Sequence, residues 1–172
     1  VYGKNHCLTL RGEVTALGSG GKAASFDFGS NMMSDLFEVR GSYIRTVPNA
    51  GAWAPAVMLD ELNGPLVERF DVSGRLAGAA AAVYISRNAY VREINFLRGA
   101  SLTGDIISQW NPTSKENDKY YIQHPNPETL ITNINFGAAM DGAGKAISGK
   151  ADKNFALTYG GNINGPKSLA LN

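Results

Sequence analysis

The sequence predicts an all-β chain: a solenoid of stacked parallel strands, that is, a parallel β-helix segment carrying two loop insertions. Three observations predict it. Short alternating strands recur without any sustained helical period, glycine and asparagine are in excess, and a degenerate strand-and-turn phrase repeats along the chain. Glycine fills 20 of 172 positions, against a typical usage of roughly 7%. Asparagine adds 15 more, so the two residues that best tolerate positive φ make up about a fifth of the chain. Hydrophobic residues stay at 44%, which separates this composition from a flexible linker.

Strand signals follow one another from the start. Leu8-Thr9-Leu10, Ser25 to Phe28, Glu38 to Thr46 and Phe70-Asp71-Val72 alternate with period two. The pattern resumes at Ala82 to Ser86, Val91 to Phe96, Ile131 to Phe136 and Phe155 to Tyr159. Helix signals are confined to Ser30 to Glu38, which reads as one or two turns capped by Asn31 or Ser34, and to Asp60-Glu61-Leu62, stopped by Gly64-Pro65. The phrase "aliphatic, small polar, glycine" recurs at Gly74, Gly104, Gly149 and Gly165, and these positions are expected at the corners of the stack. Val72, Leu76, Val83, Ile85, Ile94, Leu102 and Ile106 are the expected inward row, because stacking one strand on the next about 4.8 Å away builds a continuous core. An antiparallel sandwich or barrel also needs regular turns and is the competing architecture. The whole of 1–172 reads as one segment, with insertions at about 47–65 and 109–130.

Several function classes fall away on composition. Sixteen Lys+Arg against fifteen Asp+Glu gives a net charge of +1, which argues against a nucleic-acid-binding face or a polybasic membrane patch. The longest small-apolar run, Ala77 to Ile85, is far short of the ~18 residues that span a bilayer, so no direct membrane insertion is expected. Cys7 is the only cysteine, which removes an intramolecular disulfide and a cysteine-based zinc site. The chain opens on Val1 and closes on Leu169-Ala170-Leu171-Asn172, and it reads as a piece cut from a larger protein.

The residues that could carry chemistry are few. A nucleophilic hydrolase needs a base beside its Ser or Cys, and His6 and His124 are the only histidines. Cys7 beside His6 reads as a small strand residue, and Gly18-Ser19-Gly20-Gly21-Lys22 reads as a turn because it lacks the order of a phosphate loop. No metal or cofactor site is expected. Glycoside hydrolysis needs two carboxylates about 5–10 Å apart. Asp60, Glu61, Glu68, Asp71, Asp105 and Asp141 are the acids to check, and they read as residues on solvated edges. Trp110, Tyr120, Tyr121 and His124, with Trp53 in the other insertion, form a candidate partner-binding surface, or else they anchor long loops to the wall.

Val1 to His6 with Leu8-Thr9-Leu10-Arg11-Gly12, Ala24 to Gly29 and Arg40 to Arg45 resemble passenger domains of Gram-negative autotransporters. So do Leu62 to Gly74, Ala82 to Ser86 and Gly99 to Ser108. The likeness runs to about Asn164 and is greatest to the stalk that follows the subtilisin-like serine peptidase domain in one group. It implies a right-handed parallel β-helix, secreted and either released or displayed on the outer-membrane surface, with roles in virulence and adhesion. The implied partners are the rest of the parent passenger and its translocating β-barrel; a host glycan or protein is the partner expected if the aromatic insertion is a binding surface. Catalysis does not transfer: the subtilisin-type Asp, His-Gly-Thr and Gly-Thr-Ser segments are missing, so this segment is expected not to be an enzyme. Cys7 departs from the small polar residue expected at its position.

Overall fold

A computed structural model describes residues 7–10, 13–16, 24–26, 35–39, 43–46, 57–59, 66–86, 90–110, 129–165 and 169–172. Among them the chain passes again and again between two parallel sheets. β1 (Cys7–Leu10) lies in the first sheet, and β2 (Glu13–Ala16) and β3 (Ala24–Phe26) lie in the second. β4 (Asp35–Val39) returns to the first, followed by β5 (Tyr43–Thr46) and β6 (Val57–Leu59) in the second. β7 (Leu66–Val72) and β9 (Tyr90–Phe96) join the first sheet, β8 (Arg75–Ile85) and β10 (Ser101–Ser108) the second. β11 (Thr132–Phe136) returns to the first sheet and leads into a hairpin of β12 (Ala138–Met140) and β13 (Ala146–Ala151). β14 (Thr158–Gly160) and β15 (Ile163–Asn164) both pair with β10, and β16 (Leu169–Leu171) closes the first sheet.

The first sheet runs β1-β4-β7-β9-β11-β16 and the second runs through β14-β10-β8-β5-β2, with every pairing in both parallel. The one antiparallel pair among the described residues is the β12–β13 hairpin, so the antiparallel sandwich does not describe them. Register places like against like. Phe37 pairs with Phe70, Phe70 with Ile94 and Ile94 with Ile134, while Val39, Val72, Phe96 and Phe136 follow one another in the next column. In the second sheet Leu76 pairs with Leu102, and Val83 with Ile106. Parallel strands covered on their core side need such apolar columns, since each side chain packs on its in-register neighbour.

All seven residues expected inward are buried, none of them more than 1% exposed. With Phe70, Phe96, Val91 and Ile134 they form one continuous cluster. Burying each such side chain contributes about 1.5–3 kcal/mol.

Two local expectations differ from the structure. Residues expected as a helical turn at Ser30 to Glu38 include strand β4 from Asp35 onward, because Leu36, Phe37 and Val39 take register against β7. The Asp60-Glu61-Leu62 turn lies outside the described residues. The glycines also divide. Gly74 bends the chain between β7 and β8 as expected, and Gly165 follows β15. Gly104 instead sits inside β10, at φ +104, where the register against β8 slips and the strand kinks. A Cβ there would stand 2.7 Å from the Gly78 carbonyl oxygen, so only glycine fits. Gly149 lies in hairpin strand β13 and turns no corner of the stack.

Candidate functional site

Side chains alternate faces along each strand, so a strand with Ile94 and Phe96 inward must turn Glu93 and Asn95 outward. On that outward face, three successive strands of the first sheet and Asn172, the residue after β16, build a polar ladder. Asn95 Nδ2 donates to Asp71 Oδ1 at 2.8 Å, Asn135 Nδ2 to Asn95 Oδ1 at 2.7 Å, and Asn172 Nδ2 to Asn135 Oδ1 at 2.9 Å. Asp71 and Asn95 are 1% and 2% exposed, which a carboxylate and an amide sustain only when hydrogen-bonded. Asp71 meets that requirement on both oxygens. The Ala146 N–H donates to Oδ2 at 2.9 Å, and Arg69 Nε stands 3.2 Å from the same oxygen.

That Ala146 bond is one of several that hold the β12–β13 hairpin over the ladder. Gly137, at φ +78, turns the chain out of β11, its N–H donating to the Phe96 carbonyl. Beyond the hairpin, Arg98 grips Asp152 through both ends of its guanidinium, at 2.8 and 2.6 Å. Those hydrogen bonds, with one from the Asn154 N–H, hold the Asp152 carboxyl below its ordinary range, and they raise Arg98 in turn. At the tip, Asp141 Oδ1 accepts from the N–H groups of Ala143 and Lys145, closing the loop between the hairpin strands. Between β13 and the outward face of β9 and β11 lies an open cleft of about 450 Å³. Its floor holds Glu93, Asn133 and Asn135, and its roof runs from Ile147 to Ala151.

The residues singled out from sequence fall elsewhere. Trp110 is fully buried, so it is not a surface contact, and the expectation that it helps form a partner-binding surface is corrected. Its Nε1–H donates to the Leu130 carbonyl at 2.8 Å, and its ring lies 5.7 Å from that of Tyr90. The Tyr90 hydroxyl donates to the neighbouring Ile131 carbonyl at 3.0 Å. Two aromatic side chains therefore tie both ends of the 109–130 insertion to the core. Tyr120, Tyr121 and His124, Trp53, and the His6, Asp60 and Glu61 candidates, lie outside the described residues.

The two acids most relevant to sugar cleavage are not brought together: Asp71 stands on β7 of the first sheet and Asp105 on β10 of the second. Asp71 does not lie on the solvated edge expected of it, whereas half-buried Asp105 makes its contacts in exposed surroundings. Asp71 is buried in the ladder, and Asp105 clasps the next passage of chain, accepting from the Asn162 N–H at 2.8 Å and from Asn164 Nδ2 at 3.2 Å. Burial pushes the nearby Tyr159 hydroxyl's pKa up, and the Asp105 carboxylate adds to that rise. Among the described residues no group of three His, Cys, Asp or Glu is placed to hold a metal ion.

Sequence reasoning did not single out the ladder. Its signal is an amide or carboxylate flanked by core residues: Phe70-Asp71-Val72, Ile94-Asn95-Phe96 and Ile134-Asn135-Phe136. No protein-family model, no curated protein and no solved structure matches the chain.

Proposed function

We propose that this chain is a stretch of right-handed parallel β-helix serving as a non-catalytic stalk in an autotransporter-type passenger. In this reading it presents a functional domain, a subtilisin-like serine peptidase, outside a Gram-negative cell or on its outer surface. The observation that carries the reading is the in-register stacking of β7, β9 and β11, with Phe70 on Ile94 on Ile134 facing one core. Such a stack is stiff, because each strand is held by its neighbours through a continuous hydrogen-bond ladder and a shared apolar column. It needs no reactive side chain, and the polar groups of this chain support that use. Asp71 and Asp105 are engaged in hydrogen bonds that join one passage of the chain to another.

Antibodies raised against the purified chain test the reading on intact cells that express the parent protein. Labelling of intact, unpermeabilised cells, or of the culture medium, is expected, together with no hydrolysis of peptide or polysaccharide substrates by the purified chain. Labelling that requires permeabilised cells, or turnover at enzyme-like rates, contradicts it.

A second reading is contact with a host glycan or protein through the 109–130 insertion. It is favoured by the way Trp110 and Tyr90 fasten the insertion's two ends to the core, which would present the residues between them as one loop. Tyr120, Tyr121 and His124 would carry the contact, and loss of binding on Tyr121→Ala is its test.

A further inference from the structure

We infer that the cleft between β13 and the outward face of the first sheet is a binding site for a neutral, hydroxyl-rich oligomer, an oligosaccharide in chemical class. The site is separate from the 109–130 insertion and does not depend on the stalk reading. Its size of about 450 Å³ lies within the range of ligand sites, and it is an open trough, the shape that admits a chain.

The chemistry of the floor selects the ligand. Asn95 and Asn135 each give one N–H and accept one hydrogen bond along the stack. A primary amide has two N–H groups and two lone pairs, so Asn135 keeps a second donor and a second acceptor side by side. Asn133, on the parallel outward row, makes only long contacts, 3.4 Å to the Ile131 carbonyl and 3.5 Å to Asn172 Nδ2. Both residues stand on β11, two positions and so about 6.6 Å apart along the strand, and their donor–acceptor pairs lie side by side on the cleft floor. A hydroxyl is itself both donor and acceptor, so a chain of hydroxyl-bearing rings satisfies such a row, whereas a phosphate or a carboxylate would leave its acceptor half unmatched. Charge agrees: the cleft carries one acid, Glu93, and one base, Lys150, and favours neither sign of ligand. Ile147 and Ala151 in the roof supply apolar surface for the C–H face of a ring.

The test is amide NMR of the full chain titrated with cellotetraose, maltotetraose and chitotetraose. The titration runs to about 10 mM, where a site with Kd near 1 mM is almost saturated. At least one probe is expected to shift the Asn133 and Asn135 side-chain NH₂ signals. Asn133→Ala should weaken that binding about fivefold, the worth of one hydrogen bond, without changing the melting temperature. Ser148→Ala, on an exposed roof position, provides a second variant with the same expectation. The inference is overturned by the absence of shifts with all three probes, or by binding that both cleft variants leave unchanged. A tetra-alanine peptide that shifts the same amides at lower concentration than any sugar overturns the ligand class.

Discussion

The stack from β7 to β10 and the β12–β13 hairpin are neighbours built on opposite principles. In the stack, Val72, Leu76, Val83, Ile85 and Ile94 are fully buried, and apolar columns run from strand to strand. In the hairpin no residue is buried, and each is half-buried or exposed. The hairpin keeps its place through directional ties: the Ala146 N–H on Asp71, the Arg98–Asp152 clamp and the turn at Gly137. The difference teaches that burial fixes the architecture, while a few hydrogen bonds fix what lies against its outer wall. Substitutions in the two regions should therefore differ in kind as well as in size.

The largest effect is expected in the core. Ile94→Ala should lower the free energy of unfolding by about 2–5 kcal/mol, through lost transfer energy and an unfilled cavity. Ile147→Ala, on the half-buried hairpin, should cost less than about 1 kcal/mol. Urea titration of both variants measures the contrast, and equal losses would remove it.

Backbone geometry gives the next contrast. Gly104→Ala meets both an unfavourable φ, of the kind that costs about 1–3 kcal/mol, and the Gly78 carbonyl at 2.7 Å. Gly149→Ala, at φ +68 with open space around it, meets the backbone cost alone, about 1–2 kcal/mol. Thermal unfolding should rank Gly104→Ala as the more damaging, and the reverse order would place the kink at Gly104 in doubt.

The ladder joins the two regions. Asn95→Ala removes the donor to Asp71 Oδ1 and the acceptor for Asn135, in a place that water does not reach freely. A loss of about 1–3 kcal/mol is expected. Hydrogen exchange should show faster opening around Ala146 in this variant, because Asp71 also holds that N–H. Unchanged protection there would mean that the ladder does not brace the hairpin.

The smallest effect is electrostatic. Asp152 has a folded-state pKa below its unfolded value, so its contribution is present above the unfolded value, near 4, and is lost as pH falls through the lower folded one. The hairpin's protection should hold steady from neutral pH down to about 5 and weaken only in more acid solution. Arg98→Ala should reduce that acid-side change to the part that the Asn154 N–H sustains, and a titration midpoint near neutrality would assign it to another group.

The core was the legible part of the sequence. Period-two alternation around Val72, Ile94 and Ile106 reports a strand with one apolar side, and glycine and asparagine between such runs report turns; these signals suit an antiparallel sandwich equally, and only the recurring strand-and-turn phrase favours a parallel stack. Residues whose fate depends on a partner distant in sequence were less legible. Asn95 and Asn135 share an Ile-Asn-Phe setting, but nothing local says that the two settings stack in one column. Their bond exists because β9 and β11 stack in register across the 109–130 insertion. Trp110 stayed open for a related reason: an aromatic at the mouth of a polar loop reads as an exposed contact or as the pin of that loop, and Leu130 and Tyr90 decide for the pin. From Asp35 onward the expected helical turn gives way to strand, because pairing with β7 outweighs a weak local helix signal.

The claim on which the whole account rests is that successive passages of the chain stack in parallel register. Arg75, Ser101 and Thr158 stand in one row across β8, β10 and β14. Paired cysteines at these positions, in a Cys7→Ser background, test it under mild oxidation. Neighbours about 4.8 Å apart lie within disulfide reach, and residues two strands apart do not. Disulfides are predicted for Arg75→Cys with Ser101→Cys and for Ser101→Cys with Thr158→Cys, and none for Arg75→Cys with Thr158→Cys. A bridge between positions 75 and 158, with none to position 101 from either side, would contradict the stack.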